Sequence, residues 1–87
     1  MDIKIVEQEI LQIWKEVFHN QCIGINDNFF VIGGDSIKAI KILERLKQKN
    51  MIFDQPSMNW IYSNLTVESM ANYVTERTNI HLEEGEL

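Results

Sequence analysis

The apolar positions of the first twenty residues recur at helical spacing. Val6, Ile10, Ile13, Trp14 and Val17 form one stripe, while Glu7, Gln8, Gln12, Lys15 and Glu16 lie off it. This pattern predicts an amphipathic first helix. Asp2 stands where an N-cap is needed, and the stripe fades at His19-Asn20, where Asn favours chain reversal. A second stripe, Ile37, Ala39, Ile40, Leu43 and Leu46, predicts a helix that opens at Ser36. Asp35 is its N-cap, placed to accept from the amides of Ile37 or Lys38. Lys47-Gln48-Lys49-Asn50 closes it, with cations suited to the negative end of the helix dipole. Residues 51–57 read as a connection with Pro56 as a stop, and residues 58–63 as a short helix. Thr66 reads as the N-cap of a last helix with Val67, Met70, Ala71 and Val74 on one face. Periodicity is lost from Thr78 to Leu87, so this acidic stretch is expected to fray.

Residues 20–34 form a long loop, punctuated by Gly24, Gly33 and Gly34 and by the turn-like Asn26-Asp27-Asn28. The loop also carries Ile23, Ile25, Phe29, Phe30, Val31 and Ile32. So apolar a loop must pack onto a helical core, with Phe29 or Phe30 as its anchor. The expected fold is all-α: a small four-helix bundle of three longer helices and one short one, with a long packed loop between helices 1 and 2. Residues 1–77 make up the folded unit and residues 78–87 the tail. No apolar strands alternate with the helices, which excludes a doubly wound sheet.

Composition narrows the functions open to such a bundle. The chain has 87 residues, 45% hydrophobic and 24% charged, and so makes one soluble globule with a thin core. Its net charge of −5 disfavours nucleic acid, which requires clustered Lys and Arg. No apolar run approaches the roughly 20 residues of a membrane helix, and acids among the first twenty residues argue against a signal peptide. A cytoplasmic monomer is expected. Cys22 stands alone, and with His19 it makes at most two ligands, too few for a zinc site. Cys22 is therefore read as a small side chain packed in the loop, His81 as solvated, and no resident metal is expected.

One segment carries chemistry: Phe29-Phe30-Val31-Ile32-Gly33-Gly34-Asp35-Ser36-Ile37. Two glycines lead into a serine in the first turn of a helix, where backbone amides present partial positive charge. Because the apolar stripe starts at Ile37, the Ser36 hydroxyl is expected at the surface, with the glycines keeping its approach free of side chains. Ser36 is thus a good place to attach a phosphodiester. A serine hydrolase is the rival reading, since Gly34-Asp35-Ser36-Ile37 looks like the serine block of GDS-type esterases. No Asp stands three residues before either His19 or His81, however, and Lys38 occupies the second glycine position of a nucleophile elbow. Without a positioned base, a serine is a weak nucleophile.

Several ordered blocks now carry a family resemblance. Ile13-Trp14-Lys15-Glu16-Val17, Ile23-Gly24-Ile25 with Asp27-Asn28-Phe29-Phe30, Gly33 through Ala39, and Ser57 through Val74 together resemble the peptidyl or aryl carrier (thiolation) domain of non-ribosomal peptide synthesis, within the acyl-carrier-like superfamily. The resemblance spans residues 6 to about 76. It implies a carrier and not an enzyme. Ser36 would receive a covalent 4′-phosphopantetheine arm, donated by coenzyme A through a separate magnesium-dependent phosphopantetheinyl transferase. The arm's thiol would then hold an aminoacyl, aryl or peptidyl group as a thioester. Asp35 and Ile37 would flank the recognition site, and Ile40, Lys41, Met58, Trp60 and Ile61 are candidate partner contacts. The implied partners are that transferase, an adenylation domain or enzyme, and condensation, epimerisation, thioesterase or tailoring enzymes; neither nucleic acid nor membrane is implied.

The chain departs from the family pattern in places. Leu65 stands where Pro is usual before Thr66, and Trp60 where a polar residue is common. Asp35-Ser36-Ile37 looks more like carriers that serve an epimerase or start a chain. Between Ser36 and Asn50 lie five basic residues (Lys38, Lys41, Arg45, Lys47 and Lys49) and one acid, Glu44, a local charge of +4. Carriers of fatty-acid synthesis present an acidic second helix, so this basic one points to other partners. Two alternatives remain: an acyl carrier of a polyketide or hybrid pathway, and a helical interaction module that is never modified.

Overall fold

The computed structural model describes residues 2–52 and 58–86, the side chains of Met58 and of residues 77–86 excepted. Its elements are α1 (Ile3–Phe18), α2 (Ser36–Gln48), α3 (Met58–Ser63) and α4 (Val67–Glu86), the expected three longer helices and one short one. Each predicted cap forms. The Asp2 carboxylate accepts from the Lys4 amide at 2.9 Å, and Thr66 Oγ1 accepts from the Ser69 amide at 3.0 Å. α1 stops where His19 takes left-handed backbone angles (φ 53°) and its amide turns back onto the last carbonyls of the helix. The backbone of α4 stays helical to Glu86, through the segment where apolar periodicity is lost. Pro56, the expected stop, lies outside the described residues.

α1 packs on α4 and α2, and α3 on α2. Every residue of the predicted α1 stripe is buried, and so are Val67, Met70, Ala71 and Val74 of α4. Trp14 lies at the centre. Its ring meets Phe18 and Phe29 at 5.8 Å each, and its Nε1–H donates to Met70 Sδ at 3.4 Å. Met51 and Ile52, in the connection after α2, are buried as well, so that connection also closes the core.

α2 departs from its expected stripe. Ala39, Ile42 and Leu46 are buried, whereas Ile37 is 66% and Ile40 50% exposed. The buried face is the one turned toward both α1 and α3, and that places Ile42 inside in place of Ile37 and Ile40. Ser36 does lie at the surface, but not because the buried stripe starts at Ile37: Ile37 is exposed with it, and burial begins at Ala39.

The long loop is fastened at both sides. The Phe29 amide donates to Leu65 O at 2.8 Å, and the Glu68 amide donates to Ile25 O at 3.0 Å, tying the loop to the start of α4. Asn28 Oδ1 accepts from Phe30 and Val31, and Asp27 Oδ2 accepts from Gly24, which explains the turn-forming Asn26-Asp27-Asn28. Of the two candidate anchors, Phe29 is buried and Phe30 exposed. Cys22 is exposed and not packed in the loop.

Candidate functional site: the start of α2

The site is built on one helix end. Asp35 is extended (φ −144°, ψ −177°), and its Oδ1 accepts from the Lys38 amide at 2.9 Å. The Lys38 ammonium returns to Asp35 Oδ2 at 3.5 Å and sits 5.7 Å from the centre of the Phe18 ring on α1. The hydrogen bond from the Lys38 backbone, opposed by some desolvation and reinforced by the Lys38 charge, holds the Asp35 carboxyl below its ordinary value. The cap is therefore ionised at neutral pH and the first turn of α2 is fixed.

Ser36 is the first residue of that turn. It is exposed, and its hydroxyl makes no hydrogen bond among the described residues. The helix dipole places partial positive charge beside it. Besides keeping the approach free of side chains, the preceding glycines have separate duties. Gly33 has φ +102°, which side-chain-bearing residues rarely adopt, and a Cβ there would meet nothing within 4 Å. At Gly34 a Cβ would come within 2.4 Å of two Phe29 ring carbons and 2.5 Å of the Phe29 carbonyl oxygen. The first glycine turns the chain, and the second lets the anchor ring fit beneath it. A free hydroxyl, open space at Gly33 and a positive helix end suit a phosphodiester, so the residues present fit a phosphopantetheine arm.

The remaining candidates separate by burial. Ile37, Ile40 and Lys41 are exposed beside Ser36. Trp60 is only 9% exposed, edge-on to Tyr73 at 5.2 Å, and Ile61 is fully buried. These two, expected as partner contacts, instead join α3 to the core, because a six-residue helix needs its largest apolar groups to dock it. The Met58 side chain lies outside the described residues. Pattern reasoning passed over Tyr62, which is exposed and stacked on Phe30 with centroids 5.4 Å apart.

The basic face of α2 is also smaller than its residue count. The Arg45 guanidinium is paired with the Glu16 carboxylate of α1. The Gln12 amide donates to Glu16 at 3.3 Å, and with Arg45 it holds the Glu16 carboxyl below the ordinary carboxylate range. Lys38 is engaged by Asp35. Among the described residues Lys41 and Lys47 form no ion pair, so they are the cations that α2 presents outward. No group of three or more His, Cys, Asp or Glu among the described residues could hold a metal ion. No described helix is long and apolar enough to cross a membrane.

A small helical bundle that displays an unengaged serine hydroxyl at a helix start, with no acid or base hydrogen-bonded to it among the described residues, is suited to being modified. The family described as "Phosphopantetheine attachment site" matches residues 8–74. The chain belongs to that family, whose members are non-catalytic carriers of a covalently attached phosphopantetheine. It is 34% identical over 73 residues to bacitracin synthase 1 of Bacillus licheniformis, covering 84% of this chain and 1% of that protein. It is 32% identical over 79 residues to gramicidin S synthase 2 of Brevibacillus brevis, covering 87% and 2%. The chain thus spans only 1% and 2% of the lengths of these two relatives. Among solved structures it resembles BlmI, a type-II acyl-carrier-protein from Streptomyces verticillus involved in bleomycin biosynthesis. The TM-score is 0.78 at 28% identity, over 87% of this chain and 89% of that one. It also resembles a chain in the complex of the phosphopantetheine transferase Sfp with coenzyme A and a peptidyl carrier protein. There the TM-score is 0.73 at 30% identity, over 82% and 90%.

Proposed function

We propose that this chain is a thiolation carrier of non-ribosomal peptide synthesis, modified at Ser36 with 4′-phosphopantetheine drawn from coenzyme A. The observation that carries the reading is the exposed, unbonded Ser36 hydroxyl at the start of α2, inside the segment that matches the family. Similarity to the two peptide synthases favours this pathway class over a polyketide one. The carrier unit is residues 1–77, with residues 78–87 as a tail, and it works as a monomer in the cytoplasm.

The chain's own residues do three things. Asp35 and Lys38 fix the first turn of α2, so the hydroxyl is offered at a constant place. Gly33 and Gly34 let the loop reach that turn while Phe29 stays buried. Asp35, Ile37, Ile40 and Lys41 present a surface around Ser36 to a phosphopantetheinyl transferase, and afterwards to an adenylating enzyme and to condensation, epimerisation, thioesterase or tailoring enzymes. Once attached, the arm's thiol supplies a thioester that keeps the cargo activated. Tethering makes successive steps effectively intramolecular, and the contact with each partner is small and quickly reversible.

The test is incubation with a broad-range phosphopantetheinyl transferase and coenzyme A, read by intact-protein mass. The native chain gains one arm. Ser36→Ala gains none and keeps its helical circular dichroism, because Asp35 and not Ser36 caps α2. An unchanged native mass overturns the reading in favour of an unmodified interaction module. An arm on Ser36→Ala overturns the site.

A further inference from the structure

Three side chains meet at the start of α2 in a way that capping alone does not require. One oxygen of the Asp35 carboxylate is enough to cap the helix, and Oδ1 does so by accepting from the Lys38 amide at 2.9 Å. The second oxygen, Oδ2, lies 3.5 Å from the Lys38 ammonium. That ammonium sits 5.7 Å from the centre of the Phe18 ring of α1. One lysine thus occupies both oxygens of the carboxylate, with its backbone and with its side chain. Such an ion pair adds little to stability, since Lys38 and Asp35 keep 31% and 55% of their side-chain surface open. Its position singles it out: Asp35 directly precedes Ser36, and their Cα atoms are about 3.8 Å apart. Among the described residues no other cation forms an ion pair with Asp35, and Arg45 is taken up by Glu16.

We propose that Lys38 is a positioning residue for transfer of the arm to Ser36: it holds the Asp35 carboxylate and cancels its charge before the anionic donor arrives. This rests on the carrier reading above. In the transfer, Ser36 Oγ bonds to the pantetheine-side phosphorus of coenzyme A. The bridging oxygen leaves with adenosine 3′,5′-bisphosphate, and the hydroxyl proton passes to a base on the transferase. The donor is a polyanion, and a bare carboxylate one residue from the attacking oxygen repels it. The helix start supplies roughly half a positive charge, too little to offset a full negative one. With Lys38 in place the local charge is about +0.5, and without it about −0.5. Lys38 therefore sets the sign of the field that meets the donor. A docked transferase excludes water from the site, which strengthens that field severalfold. Lys38 acts through Asp35, because the carboxylate is also what keeps the ammonium at this place.

The experiment gives the full chain a broad-range phosphopantetheinyl transferase, magnesium and coenzyme A, and reads initial rates of mass gain. Lys38→Met keeps the backbone amide that Asp35 binds and loses the ammonium. It lowers kcat/KM for the carrier roughly tenfold at low salt, and the gap narrows at about 1 M salt, where the Debye length is about 3 Å. Lys38→Arg restores most of the rate. Lys38→Gln repeats the loss, so the result stands even if Lys38→Met folds poorly. In an Asp35→Asn background, whose side-chain oxygen still accepts at the cap, Lys38→Met costs less than about threefold. Without coenzyme A, the native and Lys38→Met chains bind the transferase equally in calorimetry, and their melting temperatures agree within a few degrees. An equal loss in both backgrounds, or weaker binding without coenzyme A, makes Lys38 a direct transferase contact and overturns the proposal. An undiminished rate for Lys38→Met overturns it outright. No mass gain by the native chain overturns the carrier reading instead, a result distinct from all of these.

Discussion

Replacing Gly34 with alanine tests the account of how the site is built. The new Cβ would sit 2.4 Å from Phe29 Cδ2 and Cε2 and 2.5 Å from the Phe29 carbonyl oxygen. The ring cannot yield easily, since it is 1% exposed and bounded by Trp14 at 5.8 Å and Phe18 at 5.6 Å. Nor can the carbonyl, which accepts the Gly34 amide at 2.7 Å. Overpacking of this kind costs about 1–3 kcal/mol, offset by about 0.4–1 kcal/mol because alanine restricts the unfolded chain. For a domain of this size each kcal/mol moves the melting temperature by about 4–8 °C, so a net cost of about 1–2 kcal/mol lowers it by roughly 4–16 °C in a thermal circular dichroism melt. In a Phe29→Leu background, which removes the contacted ring carbons, the further cost of Gly34→Ala shrinks, a coupling of about 0.5–3 kcal/mol. Gly33→Ala serves as the contrast. It has open space but φ +102°, so its cost of about 1–3 kcal/mol is backbone strain and adds to Phe29→Leu without coupling. A Gly34→Ala chain that melts with the native one refutes the packing argument, as does a cost that Phe29→Leu leaves unchanged.

Four further outcomes follow from the same structure. Thr66→Ala removes the α4 cap at Ser69 N and costs about 1 kcal/mol by denaturant titration, while Thr66→Ser restores most of it; equal midpoints for all three chains would deny Thr66 its role. The Asp35 carboxyl lies lower in the folded chain than in the unfolded one, chiefly through the Lys38 amide. Its contribution is therefore full above the ordinary carboxylate range and is lost as pH falls through the folded value. The melting-temperature gap between the native chain and Asp35→Ala then narrows from neutral pH toward pH ~3, and a gap that widens contradicts the cap assignment. Arg45→Glu faces Glu16 with a like charge and lowers stability slightly, more at low salt than at high. Lys41→Glu leaves stability unchanged but slows loading by an adenylating enzyme at low salt, and equal loading rates for Lys41→Glu and the native chain would remove Lys41 from the docking surface.

Much of this was legible in the residues because it is local. The caps at Asp2, Asp35 and Thr66 depend on a side chain two or three positions from its amide, and the α1 and α4 stripes depend on spacing alone. α2 was harder to read. Its isoleucines at 37, 40 and 42 are chemically alike, and only contact with α1 on one side and α3 on the other turns Ile42 inward and leaves Ile37 and Ile40 to solvent. Trp60 and Ile61 were equally ambiguous, since a helix of six residues has too little periodicity to declare a face.

The charge of α2 illustrates the same limit. Four basic residues in α2 are a property of composition, but pairing of Arg45 with Glu16, 29 positions earlier, depends on how two helices cross. The chain by itself therefore determined the helices, their starts, the family and the serine, because each is written in neighbouring residues or in ordered blocks. Only the tertiary structure decided which apolar groups face water, which cations remain unpaired, and why Gly34 must lack a side chain. Those are contacts between segments far apart in sequence, and burial in a thin core leaves each only one way to fit.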